Sequence, residues 1–211
     1  KAYPSHGFLA EESGGTMPND EFVWIIDPLD GTTNYVHGFP HYAVSIACVC
    51  RGRLEHAVIY DPCRQELFTA SRGHGARLDN RRLRVSAARQ LQGSLIATGF
   101  PFKQPHLMDN YLLLFKSIFS ETAGVRRAGA ASLDLAYVAA GRVDGFWELG
   151  LKPWDLAAGT LLIQEAGGIV TTFHDNPDVL FGNSIVAASP RLHPFLMEKI
   201  VPYRDILCPS R

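Results

Sequence analysis

Hydrophobic and polar positions follow a strand-like pattern in the first part of the chain. Three apolar runs rich in β-branched residues cover residues 42–50, 54–60 and 66–70. The stretches between them contain Gly52 and Pro62, residue types that favour turns, so the chain can reverse after each run. The pattern predicts an antiparallel β-meander within residues 42–86.

The second half of the chain alternates helical and strand patterns. In residues 106–123, apolar side chains recur at spacings of three and four, which is typical of a helix that buries one face. Further helices are predicted over residues 131–140, 155–166 and 191–200, and strands over residues 143–149, 168–173 and 184–188. Such alternation predicts layered α/β packing.

Composition narrows the class of protein. The 211 residues are 46% hydrophobic and 19% charged, so we expect one globular domain over residues 1–211, with lobes over residues 1–125 and 126–211. The longest apolar stretches, residues 42–50 and 156–163, are shorter than the roughly 18–20 residues that span a bilayer. A net charge of −1 gives no overall field for nucleic acid, so such a partner needs a local patch. We therefore expect a cytoplasmic protein without a membrane partner.

The four cysteines do not form a zinc or redox motif. Cys48 and Cys50 lie two positions apart inside an apolar run, unlike the CxxC spacing of such motifs, and Cys63 and Cys208 are isolated. We expect buried, reduced thiols, which agrees with a cytoplasmic setting.

Two carboxylates follow the apolar residues 24–26, in the segment Asp27-Pro28-Leu29-Asp30. We expect Pro28 to end a strand and to fix a turn, so that both carboxylates and the carbonyl oxygen of Leu29 converge on one point. Hard divalent cations such as Mg²⁺ take oxygen ligands of this kind, usually one or two carboxylates with water and substrate phosphate. The segment therefore predicts a metal site.

A phosphate site is predicted directly beside this metal site. Gly31-Thr32-Thr33 continues the segment with small residues. If a helix begins there, its first N–H groups are unpaired donors at the positive end of the helix dipole, and glycine lets an anion approach closely. A structural turn needs only one acid and no threonine pair, so the whole segment favours metal and phosphate chemistry over a simple turn.

Three further places add carboxylates. Glu11 and Glu12 follow an apolar run, Glu148 is expected to end a strand, and Asp155 is expected at the N-cap of a helix. Taken singly, each of these acids is most often a solvated loop residue or a helix cap. Their functional interpretation depends on residues 27–33, which give the stronger signal.

Two long motifs resemble the signatures of the inositol monophosphatase family. The first is WIIDPLDGTTNY at residues 24–35, and the second is PWDLAAGTLLIQEAGG at residues 153–168. Glu11, Glu148 and the segment GAAS at residues 129–132 lie at the family's usual distances from these signatures. The match covers nearly the whole chain.

The resemblance implies the fold of this family. That fold is a layered α/β protein, an αβαβα sandwich of the sugar phosphatase type, with its N-terminal helical lead-in absent from this chain. Residues 97–103 and 133–145 are most similar to the bacterial SuhB-type inositol-1-monophosphatases.

The resemblance also implies an Mg²⁺-dependent phosphomonoesterase that hydrolyses myo-inositol monophosphate with an activated water molecule and no phosphoenzyme. Glu11, Asp27 and the carbonyl oxygen of Leu29 would bind one Mg²⁺, and Asp27, Asp30 and Asp155 a second. Two metals in such a site can activate water and stabilise the departing alkoxide. Glu11 and Asp27 are therefore implied to be catalytic residues.

Contacts with the substrate are implied as well. Thr32 is the third implied catalytic residue, because its hydroxyl would orient the attacking water. The backbone amides of Gly31 and Thr32 would hold the phosphate beside Asp30. Ala131 and Glu148 would contact the ring hydroxyls, and a carboxylate suits vicinal hydroxyls because it can accept two hydrogen bonds.

The family implies a homodimer that is sensitive to lithium, with Arg126 near the substrate, across the dimer interface. Relatives act on nucleotide 3′-phosphates, fructose bisphosphate or histidinol phosphate with the same metal ligands. A related sugar, nucleotide 3′-phosphate or histidinol phosphatase is therefore the alternative within the enzyme class.

One part of the family pattern is missing. Members begin with a helical lead-in whose Asp-rich segment partners the threonine that activates water, and nothing like it precedes Lys1 in this sequence. If the protein truly lacks that segment, we expect it to bind metal weakly and to turn over slowly or not at all.

Arginines gather in residues 72–89, where Asp79 is the single acid; they are Arg72, Arg77, Arg81, Arg82, Arg84 and Arg89. Most charge runs face water, so a solvated hairpin is the simpler interpretation. The alternative is a docking patch for RNA or a protein complex, because SuhB-type proteins are implicated in transcription antitermination with RNA polymerase. No aromatic platform is interleaved with the arginines, which argues against sequence-specific RNA binding. A non-catalytic factor associated with RNA polymerase or RNA is thus the alternative from another class.

Overall fold

The larger of two sheets contains the predicted β-meander. This computed structural model describes residues 3–12 and 17–209, and within them the larger sheet has seven strands, ordered as in the chain. They are β1 (Gly7–Ala10), β2 (Phe22–Asp30), β3 (Ala43–Cys50), β4 (Arg53–Asp61), β5 (Glu66–Ser71), β6 (Gly75–Leu78) and β7 (Arg81–Arg82). β1 is parallel to β2, and each later pair of neighbours is antiparallel. The three predicted strands of the meander are confirmed.

The second sheet is smaller and mixed. Its strands are β8 (Leu95–Thr98), β9 (Gly124–Arg126), β10 (Gly145–Leu149), β11 (Ile169–Thr171) and β12 (Ser184–Ala188), in the order β11-β12-β10-β8-β9. β10 is parallel to β8 and antiparallel to β12. β10 and β11 are shorter than the predicted strands over residues 143–149 and 168–173. Glu148 lies one residue before the end of β10 rather than at its end. Since β8 belongs to this sheet, the change from the larger to the smaller sheet falls between β7 and β8, and the lobe boundary at residue 125 stays a prediction.

The helices agree with the prediction in place and differ in length. They are α1 (Thr32–Val36), α2 (Met108–Phe119), α3 (Ala131–Ala139), α4 (Pro153–Glu165), α5 (His193–Ile200) and α6 (Arg204–Leu207). α2 is shorter than the predicted residues 106–123, because a 3₁₀ turn at Pro105–Leu107 precedes it. At its other end, the hydroxyls of Ser120 and Thr122 donate to nearby backbone carbonyls and compete with further helix.

The sheets and helices stack in layers. α4 packs across β2–β6 and against α3 beside it. α3 contacts β3 and β4 of the larger sheet and β8, β10 and β12 of the smaller one. α2 and α5 cover the opposite face of the smaller sheet, where Tyr111, Trp147 and Leu196 are buried in one cluster. The described residues thus supply four of the five expected layers, in the order sheet, helices, sheet, helices.

α3 and α4 approach each other closely between the two sheets. Gly159 makes this possible, because a Cβ at that position would overlap the side chain of Leu135. The contact matters for function because α3 and α4 each begin at the carboxylate cluster described below.

All four cysteines are free thiols. Cys48 and Cys208 are buried as expected, Cys50 is half-buried, and the expectation was wrong for Cys63, which is exposed in the turn between β4 and β5. Within residues 3–12 and 17–209, no helix is both long and apolar enough to cross a membrane.

Candidate metal and phosphate site

Two of the predicted acids lie at the end of β2. The expectation that Pro28 ends this strand was wrong, since β2 continues through it to Asp30. Pro28 has no N–H to donate, and the pairing of β2 with β3 shifts register between Asp27 and Asp30 as a bulge does. The Asp27 carboxylate is buried and accepts the backbone N–H of Leu29 at 2.9 Å. The bulge therefore directs both acids to the same end of the sheet.

Asp30 is held by the first turn of α3. Its Oδ2 accepts the backbone N–H of Ser132 at 2.8 Å and the hydroxyl of Ser132 at 2.5 Å, and all of these groups are buried. The N-cap residue of α3 is Ala130, which has no side-chain oxygen to accept the free N–H groups of the helix. Asp30 therefore caps α3 from another segment of the chain, a role that the sequence analysis missed.

Asp155 lies in the first turn of α4. The expectation of an N-cap was wrong, because Lys152 is the N-cap and Pro153 occupies the first turn. The Asp155 carboxylate reaches back and accepts the backbone N–H of Lys152 at 2.7 Å. This is the third position of a capping box, and the bond fixes the direction of the carboxylate.

The three aspartates converge. One carboxylate oxygen each from Asp27, Asp30 and Asp155 lies within 4.8 Å of the others. Glu11 is exposed just after β1 and lines the same cavity, and its charge raises the pKa values of Asp27 and Asp30. Four predicted ligands from three separate parts of the chain thus surround one space.

Burial makes the negative charges of these carboxylates unfavourable when no cation is bound. It raises the pKa of Asp27 from 3.8 to about 8, and the adjacent Asp30 carboxylate adds to that shift. Burial also raises the pKa of Asp155 to about 7, although the N–H of Lys152 opposes the shift. The pKa of Asp30 is raised by burial despite its bonds from Ser132. A hard divalent cation fits this oxygen-only donor set, because it would compensate the repulsion and desolvation that raise these pKa values.

The predicted helix after the acids is confirmed as α1, with Gly31 as its N-cap at a φ of 85°. A Cβ on Gly31 would lie 3.0 Å from the carbonyl oxygen of His41, so glycine suits both the backbone angle and the space. The hydroxyl of Thr32 donates to the carbonyl oxygen of Leu29 at 3.0 Å. The Leu29 oxygen is therefore not free, but it retains a second lone pair.

These groups line connected cavities. The first, of about 530 Å³, contains the predicted metal and phosphate residues Glu11, Asp27, Leu29, Asp30, Gly31, Thr32 and Asp155. A second, of about 350 Å³, shares Glu11 and Asp155 with it and extends to Glu148. A third, of about 120 Å³, brings Ala131 and Glu148 beside Asp30 and Asp155. The structure therefore gathers all of the predicted site residues except Arg126.

Arg126 lies outside these cavities. It is exposed at the end of β9 and lines a different hollow with Phe39 and Tyr137. Its neighbour Arg127 lines all three cavities of the site, and its guanidinium lies 4.8 Å from the centroid of the Phe102 ring. Arg127 was not predicted, since nothing in a pair of adjacent arginines shows which one faces the site.

The surroundings of Glu148 include a second residue that the sequence analysis missed. Burial and the charge of Asp134 raise the pKa of Glu148 well above its ordinary value, and Arg127 opposes that shift. Asp134 is buried in α3 and lines the same cavity. A single acid within an otherwise apolar helix was the available signal.

The predicted arginine patch lies at the edge formed by β6, β7 and the chain that follows. Five of its members are exposed, namely Arg77, Arg81, Arg82, Arg84 and Arg89. Arg72 is only partly exposed and does not share this free surface, because its Nε donates to the carbonyl oxygen of Leu54 at 2.6 Å and lies 3.4 Å from Glu55. A hollow of about 350 Å³ is lined by Arg81, Arg82 and Arg84.

Known proteins are similar to this chain in sequence and in fold. A sequence profile of the inositol monophosphatase family matches residues 1–205. The Nus factor SuhB of Pseudomonas aeruginosa is 56% identical over 208 residues, which cover 96% of this chain and 77% of that protein.

Two solved structures extend the comparison. The extragenic suppressor protein suhB from Bartonella henselae superposes with a TM-score of 0.90 at 46% identity, over 95% of this chain and 77% of the other. The inositol monophosphatase from Anabaena gives a TM-score of 0.90 at 43% identity, over 96% and 81% of the two chains. The layered fold and the two signature motifs therefore have one explanation: this chain belongs to the inositol monophosphatase family.

Proposed function

We propose that this chain is an Mg²⁺-dependent phosphomonoesterase that hydrolyses myo-inositol monophosphate to inositol and phosphate. The observation that carries the proposal is the convergence of Asp27, Asp30 and Asp155, whose carboxylate oxygens lie within 4.8 Å of one another. This cluster opens into a cavity next to the first turn of α1. Membership of the family implies phosphatase activity, and the choice of cation and substrate is our proposal.

The donor set would hold two ions. Glu11, Asp27 and the carbonyl oxygen of Leu29 would bind one, and Asp27, Asp30 and Asp155 the other. When bound, Mg²⁺ supplies Lewis-acid polarisation of the phosphate and lowers the pKa of water. Oxygen ligands that are mostly carboxylates favour Mg²⁺ over metals that prefer nitrogen or sulfur.

Thr32 is positioned to orient the attacking water. Because its hydroxyl proton points to the Leu29 carbonyl oxygen, the lone pairs of Oγ1 remain available to accept a hydrogen bond from water. The first N–H groups of α1 have no partner within the helix, so those of Gly31 and Thr32 would hold phosphate oxygens. Both residues line the cavity that contains the acids.

The ring of the substrate would occupy the connected cavity beside Glu148. Its carboxyl group and the backbone at Ala131 line that space, and both would contact ring hydroxyls. A vicinal diol can donate and accept hydrogen bonds, so it suits a carboxyl group whose pKa is raised by burial. Arg127 lines the same space and adds a donor that cannot lose its charge.

A phosphate-release panel tests the proposal. Purified protein would be assayed with inositol 1-phosphate, a nucleotide 3′-phosphate, fructose bisphosphate and histidinol phosphate, with Mg²⁺ or EDTA and with or without lithium. We expect Mg²⁺-dependent release that is fastest with inositol 1-phosphate and is inhibited by lithium. A preference for the nucleotide, sugar or histidinol ester would contradict the proposed substrate and leave the proposed phosphatase activity in place.

Two substitutions test the metal ligands directly. Asp27→Asn and Asp155→Asn each remove a charged oxygen from the cluster, and each should nearly abolish turnover while circular dichroism stays unchanged. Ser94→Ala is a matched control, because Ser94 is buried away from these cavities and donates to the carbonyl oxygen of Leu91. Full turnover in both aspartate variants would contradict the proposed site.

We also propose a homodimer with a cytoplasmic location. The exposed Arg126 would then face the partner subunit rather than the cavity of its own chain. Light scattering should give a mass twice that of the 23.2 kDa chain. In Arg126→Glu the measured mass should shift toward that of one chain. A dimer mass that is unchanged in Arg126→Glu would contradict the placement of Arg126 at the interface.

A second candidate function is association with a transcription complex. Two observations favour it, namely the relatives that are Nus factors and the free arginines of β7. The proposed partner is RNA polymerase with its antitermination factors, which the exposed guanidinium groups would contact through acidic side chains or RNA phosphates.

A pull-down of RNA polymerase tests this role. The double variant Arg81→Glu with Arg82→Glu should lose the polymerase and keep phosphate release, since the patch lies apart from the cavities with the acids. Arg72→Ala is the control, because Arg72 is occupied by Leu54 and Glu55. Recovery of polymerase with the double variant would exclude the patch.

A further inference from the structure

Ser132 makes an unusual pair of hydrogen bonds to one of the proposed metal ligands. Its backbone N–H and its hydroxyl both donate to the same atom, Oδ2 of Asp30, at 2.8 and 2.5 Å. Neither residue is exposed to bulk water, so both bonds form where alternative partners are scarce. The orientation of the Asp30 carboxylate is therefore determined by Ser132.

The two donors differ in what fixes them. The N–H belongs to the first turn of α3 and remains in place whatever side chain residue 132 carries. The hydroxyl is specific to serine or threonine at this position, and its bond is the shorter of the two. Short hydrogen bonds to a carboxylate are strong, so the hydroxyl restricts the directions that the Asp30 carboxylate can take.

We propose that Ser132 is a positioning residue for the cation site: its hydroxyl fixes the direction of the Asp30 carboxylate, and so raises the affinity of the site for a divalent cation. This inference rests on the proposed function, in which Asp30 is a metal ligand. Ser132 does not line the three cavities itself, and it acts through Asp30. Residues that hydrogen-bond to metal ligands commonly change metal affinity in this way.

The experiment measures cation binding without substrate. Mg²⁺ and Mn²⁺ would be titrated into the purified protein and followed by calorimetry and by the rise in melting temperature. In Ser132→Ala, we expect the midpoint of binding to rise about tenfold. Ser132→Thr retains the hydroxyl and should retain a midpoint near that of the wild type.

Ser94→Ala is the matched control. Ser94 is as deeply buried as Ser132, and its hydroxyl donates at 2.6 Å to the carbonyl oxygen of Leu91. Its loss should lower the melting temperature and leave the cation midpoint unchanged. A structural role alone would make Ser132→Ala behave in the same way.

The outcomes separate the two proposals. If the wild type binds the cations and Ser132→Ala binds them with the same midpoint, the positioning role is overturned and the proposed function stands. If the wild type binds neither cation, both proposals are overturned. A raised midpoint in Ser132→Ala together with a near-normal midpoint in Ser132→Thr supports the role.

Discussion

The Glu148 carboxylate lies directly against Gly99, in the space that a Cβ at that position would occupy. Gly99 follows β8, and Glu148 is on the adjacent parallel strand β10. The absence of a side chain at residue 99 is therefore what allows the carboxyl group to line the proposed ring-binding cavity.

Gly99→Ala should impair substrate binding more than the chemical step. The added methyl group would displace the Glu148 carboxyl, and losing a hydrogen bond to a charged group costs about 1.5–3 kcal/mol, so KM should rise about tenfold or more. Steady-state kinetics with inositol 1-phosphate would measure this. Gly124→Ala is the control, because its Cβ would meet the flexible end of Arg126 at 3.3 Å and the Leu95 side chain at an ordinary contact distance of 3.9 Å. Equal KM values for both variants would contradict the role of Gly99.

Stability in the absence of cations should fall as the pH rises. The pKa values of Asp27 and Asp155 are about 8 and about 7 in the folded chain, above the ordinary 3.8. The folded state therefore binds more protons than the unfolded state between pH 4 and 8, and the stability present at low pH is lost as these groups ionise. Melting temperatures in EDTA should decline over this range.

Two comparisons check the cause of that decline. Mg²⁺ should reduce it, because the cation binds the deprotonated carboxylates. Asp155→Asn should also reduce it in EDTA, because one raised pKa is removed. A decline of the same size in the variant and the wild type would show that other groups are responsible.

Arg127 and Arg126 should differ in their effect on catalysis. Arg127 lines the three cavities and stacks on Phe102, whereas Arg126 points elsewhere. Arg127→Ala should raise KM about tenfold, by the loss of a charged donor. Arg126→Ala should leave KM near the wild-type value when both are measured at a concentration where the oligomeric state is the same. The reverse order of effects would return Arg126 to the substrate site.

Gly159→Ala should destabilise the fold and the cluster together. The new Cβ would collide with Leu135, and overpacking of this kind costs about 1–3 kcal/mol. Urea denaturation measures the loss. Leu135→Gly in the same chain removes the Cβ, Cγ and Cδ1 atoms that the new methyl group would meet, so the double variant should lose less stability than the sum of the two single changes. Additive losses would mean that α3 and α4 adjust without contact at this point.

Periodicity predicted the meander and the main helices, because apolar residues at fixed spacings must share one buried face. The ends of elements were harder. Pro28 looked like the end of a strand, yet a bulge accommodates it, and a bulge depends on the partner strand rather than on local sequence. Asp155 looked like an N-cap, yet the helix begins at Pro153, which places Asp155 at the third position of the first turn.

The convergence of Asp27, Asp30 and Asp155 could be predicted because these acids lie within two signatures that are each continuous in sequence. Ser132, Arg127 and Asp134 could not, since their roles arise from contacts between distant segments. Ser132 meets Asp30 only after α3 has packed beside β2, and neither residue carries a local signal of that contact. Tertiary packing, which no single periodic pattern contains, supplied these parts of the site.

The meeting of β2 and α4 at the carboxylate cluster has a consequence for folding. The carboxylate cluster brings the end of β2 together with the start of α4, so a cation bound there, as we propose, would close a long loop of chain much as a covalent crosslink does. Since the unfolded chain presents no such cluster, every increment in cation affinity is also an increment in folding free energy. If Mg²⁺ binds as we propose, its free concentration would affect the stability of the folded chain as well as its turnover.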